Sequence, residues 1–197
     1  MNLCKKMLRC LPHNIVTIIS LLLFLNCISL WSKPQTSTGS EHTKRATLEA
    51  VEKTGRLEMA NQKLFVEKLN KALENEYAAV VQYVQHAAVI TGAQYDAIAK
   101  ELVVHANEEL DHAVKISELI NDFDGVPTIN VEKREISNDG KKMLEQDLAG
   151  EQVAIDGYKE LVKIANELGE FGAAQVLEGI LAKEEEHKRD LLGALGH

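Results

Sequence analysis

Two copies of one short pattern, Glu-x-x-His, occur at positions 109–112 and 184–187 and strongly constrain how this 197-residue chain can fold. Each copy is preceded, at the same distance along the chain, by a lone glutamate. A single Glu-x-x-His occurs by chance on many polar helices, whereas two with the same upstream partner indicate a repeated constellation. Its members are Glu76, Glu109 and His112 in the first half and Glu151, Glu184 and His187 in the second.

The spacing predicts where these side chains meet. From Glu76 to a turn near Thr91-Gly92 a helix would rise roughly 24 Å, and from that turn to Glu109 it would return roughly 25 Å. Both side chains then lie at the same height in an antiparallel hairpin, and a turn near Gly169 gives the second half the same geometry. Two such hairpins packed together would bring four Glu and two His to one point.

Carboxylates that face the core of a bundle are costly unless a counter-charge is present. Two divalent irons would supply it, with two terminal Glu, two bridging Glu and one His nitrogen on each metal. This ligand set suits iron or manganese better than thiolate-preferring ions. The alternative is that the six residues are exposed on acidic helices and bind nothing.

Helical periodicity predicts an all-α fold with four helices, at about 61–91, 94–121, 139–167 and 170–193. The connection at 122–137 is too long for a tight hairpin, so we expect a crossover that makes the third helix parallel to the second. The second helix would offer Leu102, Val103, Leu110, Val114 and Ile120 to the core.

Charge and cysteine content exclude several classes of function. Residues 59–197 hold 14 Lys/Arg against 26 Asp/Glu, which argues against a nucleic-acid-binding surface and fits a protein that attracts cations. The three cysteines, Cys4, Cys10 and Cys27, all precede residue 30. The domain therefore has no disulfide framework and no thiolate metal site.

The N-terminal segment predicts export or membrane anchoring. Basic residues precede an apolar run at 15–31, so we interpret residues 1–32 as a signal peptide or anchor, residues 33–58 as a polar linker and residues 59–197 as the bundle. The alternative is a cytoplasmic protein whose true start is Met59.

Several residues near the six are further candidates. Tyr83 and Tyr158 each follow a lone glutamate by seven residues, and Tyr83 is our candidate catalytic residue, as a phenol bonded to a ligand carboxylate or redox-active near the metals. An ordinary core role is the alternative for both tyrosines. Asp147 could hold a His ring nitrogen, and His105 is a candidate extra ligand or a group that admits iron. His86 is expected at the surface or as a capping residue.

Four segments of the chain resemble the four helices of bacterioferritins. They are residues 69–87, Asn107-Glu108-Glu109-Leu110-Asp111-His112-Ala113, Asp147-Leu148-Ala149-Gly150-Glu151 and residues 180–187. The resemblance implies a ferroxidase that oxidises Fe(II) with O2 or H2O2 and stores ferric mineral in a hollow cage. It assigns Glu76 and His112 to one iron, Glu151 and His187 to the other, and Glu109 and Glu184 as bridges.

The chain departs from the bacterioferritin pattern in two ways. Leu110 stands where the family has a haem-ligating Met, so haem is not expected. No fifth helix follows residue 193, so a 12-subunit cage competes with a 24-subunit one. The rival function is a non-storing di-iron or di-manganese oxidase or peroxidase, resembling rubrerythrin or a membrane-bound hydroxylase.

Overall fold

A computed structural model describes residues 39–197. Four helices follow in order: α1 at Gly39–Val89, α2 at Asp96–Asp122, α3 at Gly140–Leu168 and α4 at Phe171–Leu195, with a short 3-10 helix at Ala93–Tyr95 between α1 and α2. The described residues contain no strand. The all-α four-helix fold that the sequence predicts is confirmed.

The helix ends have local causes. Asp139 begins α3 because its side chain accepts a hydrogen bond from the Lys142 backbone N–H. Gly169 ends that helix in the left-handed conformation, at φ 75°, which lets the chain turn within two residues into α4. Gly92, at φ 126°, serves the turn between α1 and α2.

The crossover that joins α2 to α3 runs alongside α1 and in the same direction. Gln62 of α1 donates to the Phe123 carbonyl at the start of the crossover, and Gln82 donates to the Glu135 carbonyl near its end. Between these points the Glu132 backbone N–H donates to the Glu74 carbonyl over 3.1 Å. The crossover thus returns the chain along the bundle, and α3 runs parallel to α2 as expected.

The buried apolar residues form two clusters with a polar layer between them. Along each helix, the glutamate of the constellation lies between residues of the two clusters. On α1, for example, Glu76 lies between Leu73 of one cluster and Tyr83 of the other. The core therefore fixes the height of the polar layer. Three positions expected in the core of α2, Val103, Leu110 and Val114, are instead about half exposed, because they lie on the face turned away from α4 and α3.

The linker expected at 33–58 differs from the structure, since α1 already begins at Gly39. From residue 45 to residue 60 every side chain is exposed except at the half-buried Gly55. Ion pairs one turn apart, such as Arg45 with Glu49 at 3.1 Å, support a solvated helix. The polar composition of this segment correctly indicates that it makes few core contacts. It does not indicate whether the segment is helical.

None of the helices in the described part of the chain is long and apolar enough to cross a membrane. The signal peptide or anchor expected at residues 1–32 lies outside the described residues. Export, anchoring and the alternative start at Met59 all stay predictions.

Candidate metal centre

All six residues of the repeated constellation are buried and meet inside the bundle. None is more than 3% exposed. They form two overlapping groups in which the possible ligand atoms all lie within 4.8 Å of one another. Both groups contain Glu109 and Glu184; one adds Glu76 and His112, and the other adds Glu151 and His187.

The two shared glutamates each turn one oxygen toward each histidine. Oε2 of Glu109 lies 2.8 Å from His112 Nδ1, and its Oε1 lies 3.1 Å from His187 Nδ1. Likewise, Oε1 of Glu184 lies 2.9 Å from His112 Nδ1, and its Oε2 lies 3.6 Å from His187 Nδ1. This is the arrangement of two carboxylates that can each bridge a pair of cations.

The electrostatics of the cluster favour the binding of cations. Burial, and then the charges of Glu109 and Glu184, raise the pKa of Glu76 and of Glu151 well above the usual range. Burial alone would lower the pKa of both histidines, but hydrogen bonds to the carboxylates outweigh it and raise the pKa of His112 to about 12 and that of His187 to about 10. Protons therefore balance part of the carboxylate charge, and divalent cations can replace them.

The donor set fits a pair of iron ions. Oε2 of Glu151 is buried and has no hydrogen-bond partner, although burying such an atom unpaired is costly. Both histidines direct Nδ1 toward the carboxylates, and Nε2 of His187 lies 2.8 Å from Glu108 Oε2. A hydrogen bond on Nε2 leaves the Nδ1 lone pair for a metal. Oxygen and imidazole donors together suit iron or manganese.

Each tyrosine of the repeat bonds the lone glutamate of the other half. The Tyr83 hydroxyl donates to Glu151 Oε1, and the Tyr158 hydroxyl donates to Glu76 Oε1 at 2.5 Å. Burial, and then a neighbouring carboxylate, raises the pKa of both phenols well above the usual range, so both stay protonated donors. The contact expected of Tyr83 is present, and Tyr158 makes the equivalent one.

Two polar contacts around the site were not predicted from the sequence. His86, expected at the surface or as a capping residue, is fully buried. Its Nδ1 lies 2.8 Å from Asp147 Oδ1, so Asp147 does hold a ring nitrogen, but of a histidine outside the constellation. Its position three residues after Tyr83, on the same helix face, was a usable signal. Glu108 had none, since it is one acid among many on α2.

His105 packs directly against the constellation. Its ring is 1% exposed and stacks on that of His187, with centroids 4.1 Å apart. Its Nε2 lies 3.4 Å from Asp190 and 4.0 Å from Glu101, so these three residues form another group with metal-ligand spacing. Its role as an extra ligand or as a group that admits iron stays a prediction.

A comparison with protein families decides where the chain belongs. Residues 66–197 match the model of the ferritin-like domain. The chain belongs to the ferritin-like family. This family assignment agrees with the bundle, the crossover and the buried carboxylate–histidine cluster.

Relatives of this chain include bacterioferritins. The bacterioferritin of Brucella melitensis is 36% identical over 138 residues, which cover 66% of this chain and 86% of the relative. The nutrient stress-induced DNA-binding protein of a Nostoc strain is 34% identical over 130 residues, which cover 61% of this chain and 71% of that protein. The chain is thus a bacterioferritin-like member of the ferritin-like superfamily.

Solved structures share the fold. A dodecameric thioferritin, the bacterioferritin-related protein of Bacteroides fragilis, matches with a TM-score of 0.64 and 30% identity, covering 68% of this chain and 85% of that one.

Proposed function

We propose that this ferritin-like protein is a ferroxidase that oxidises Fe(II) at a di-iron centre inside each bundle and stores the ferric product in a hollow homo-oligomer. The observation that carries the proposal is the position of Glu109 and Glu184, each with one oxygen toward His112 and the other toward His187. A single cation would not need two carboxylates divided in this way between two histidines.

The residues around the centre would hold it in a fixed geometry. Two bound Fe(II) ions would each supply one electron for the reduction of O2 or H2O2. Glu76 and His112 would hold one ion and Glu151 and His187 the other, while Tyr158 and Tyr83 orient the two terminal carboxylates. Tyr83 also lies with its ring centroid 6.5 Å from that of His187, which supports its proposed catalytic role near the metals.

Storage requires a cage, and two observations support one. The Bacteroides fragilis relative is a dodecamer. In addition, α1 and α2 carry exposed apolar side chains, among them Val81, Val84, Leu110 and Val114, each more than 50% exposed. A surface of this kind favours self-association. We propose a homo-oligomer of 12 or 24 subunits.

Two further expectations complete the proposal. Leu110 has no lone pair for a haem iron, so no haem is expected through α2. No nucleic-acid partner is expected either, because acidic residues outnumber basic ones in residues 59–197.

Iron loading of the purified protein tests storage against oxidation alone. Fe(II) would be added aerobically, the mineral core measured as iron per subunit, and the assembly sized by sedimentation. Hundreds of irons per subunit in a large assembly are expected. Two irons per subunit without a mineral would instead indicate a non-storing oxidase. Metal analysis of the native protein would show whether it holds manganese in place of iron.

A further inference from the structure

A small cavity lies beside the carboxylates of the proposed metal centre. Its lining includes Glu76, Glu109, Glu151 and Glu184, and also Arg134 of the crossover. Its volume is about 10 Å³, which is room for about one water molecule. A hydrated divalent cation, which carries several waters, is much larger than this passage.

Arg134 lies against both halves of the repeat and is bonded by the first. Its Nη2 donates to the side-chain oxygen of Asn75, the residue before Glu76. The equivalent position in the second half is Gly150, the residue before Glu151. A Cβ on Gly150 would lie 3.4 Å from Arg134 Nη1, so a larger side chain there would take the space of the guanidinium.

The crossover around Arg134 is fastened to α1. Lys71 pairs with Glu132 at 2.9 Å, and the Gln82 side chain donates to the Glu135 carbonyl at 3.2 Å. These contacts lie on either side of Arg134 in the crossover. Nε of Arg134 is buried and has no hydrogen-bond partner, so this end of the guanidinium lies inside the protein surface.

We propose that Arg134 is a specificity-determining residue that closes the crossover side of the metal centre to cations while leaving room for one small neutral molecule. A fixed positive charge in a narrow passage repels a dication, and a neutral molecule of the size of water experiences no such repulsion. Dioxygen and hydrogen peroxide belong to this neutral class. This proposal rests on the proposed metal centre.

The crossover occurs once in the chain, so the closure by Arg134 has no counterpart in the other half of the repeat. The carboxylates of the centre attract cations from every direction, and a passage open on this side would let metal in and out past Glu76 and Glu151. A positive residue in this cavity would therefore hinder the passage of cations through it while leaving access to a small neutral oxidant.

Cobalt(II) loading tests the proposal without any oxidation. The full-length protein and its variants Arg134→Lys, Arg134→Gln and Arg134→Glu would be mixed with Co(II) under anaerobic conditions, and the visible cobalt spectrum would follow binding. Removal of bound cobalt by EDTA would give the reverse rate. The control is Lys133→Gln, which removes the same charge from the neighbouring exposed position.

We expect loading and removal to be faster by about tenfold in Arg134→Gln, faster still in Arg134→Glu, and unchanged in Arg134→Lys and Lys133→Gln. Equal rates in Arg134→Gln and the wild type, with two cobalt ions bound, would overturn the role of Arg134 and leave the metal centre intact. Equal acceleration in Lys133→Gln would also overturn it, because the effect would then be one of net charge. Failure of the wild type to bind cobalt would overturn both proposals.

Circular dichroism and thermal melting would confirm that each variant is folded. If the Arg134 variants unfold, Asn75→Ala provides a second test, because it removes the side-chain acceptor that holds Arg134 and leaves the charge in the chain. Faster cobalt exchange in a folded Asn75→Ala protein is expected, and an unchanged rate would contradict the proposal.

Discussion

Tyr158 on α3 donates a 2.5 Å hydrogen bond to Glu76 on α1, two residues that are 82 positions apart in the chain. Replacing Tyr158 with Phe removes the donor and leaves a buried carboxylate oxygen unpaired, which costs about 1–3 kcal/mol. We expect a lower melting temperature for the metal-free protein and weaker binding of one of two Co(II) ions. Tyr95→Phe, at the end of the bundle, is the matched control; equal melting of the two variants would contradict a role for this bond.

Replacing a shared glutamate should damage both metal positions. Glu109→Ala and Glu184→Ala each remove a carboxylate that faces both histidines, so we expect loss of at least one metal and of most ferroxidase activity. Glu76→Ala, which removes a residue of one group only, should retain one metal. Calorimetric stoichiometry and the initial rate of Fe(II) oxidation measure these effects. Two bound irons at the wild-type rate in either shared-glutamate variant would disprove the assignment of bridges.

Metal binding should become tighter as the pH rises. In the metal-free protein the pKa of His112 is about 12 and that of His187 about 10, so both rings are protonated at neutral pH. Two metal ions, one at each ring, must together displace both protons, so the overall binding constant for the pair should rise at least about a hundredfold per pH unit. Co(II) titrations between about pH 6 and pH 8 would measure this slope. A pH-independent affinity would contradict the protonation of the two rings.

Glu108 should affect only one of the two metal positions. It bonds Nε2 of His187, whereas the equivalent residue of the second half is Lys183, whose ammonium group cannot accept a hydrogen bond from His112. Glu108→Ala should weaken one metal about 10–100-fold and leave the other unchanged. Glu108→Gln keeps an acceptor oxygen and should have a smaller effect. Titration of each variant with metal would measure the affinity of each of the two metal positions. Equal loss of affinity at the two positions would argue against the prediction.

Residues before Met59 should be dispensable for the metal centre. Side chains from residue 45 to residue 58 are exposed, apart from Gly55, and every proposed ligand follows Met59. A chain that begins at Met59 should therefore be helical, multimeric and able to bind iron. Failure of this shorter chain to fold would show that the bundle needs the preceding segment. N-terminal sequencing of the native protein decides between export or anchoring through residues 1–31 and a start at Met59.

The sequence predicted the four helices and their order well because each carries a strong helical period and ends at a recognisable turn. Gly169 is one such turn, with its left-handed backbone. The start of α1, expected near residue 61, was wrong, since the helix begins at Gly39. A solvated helix stabilised by local ion pairs has no apolar stripe that would reveal it. The period alone also could not tell that Val114 faces outward.

The candidate site was predictable only where the chain repeats itself. The six proposed ligands and both tyrosines recur at one constant offset, and the structure brings all of them together. Contacts made by a residue that does not recur at that offset could not be predicted in this way. Arg134 and Glu108 are two of them, since each depends on where the crossover or a neighbouring helix comes to rest.

The exchange of tyrosine–glutamate bonds between the two halves bears on ancestry. A single helical hairpin with one Glu-x-x-His, one lone glutamate and one tyrosine could pair with a second copy of itself and present the same four carboxylates, two imidazoles and two phenols. An ancestral homodimer of hairpins would already have held two equivalent metals. Joining the copies in one polypeptide would have added the crossover. The two metal positions, and the sides from which they are reached, could then become different.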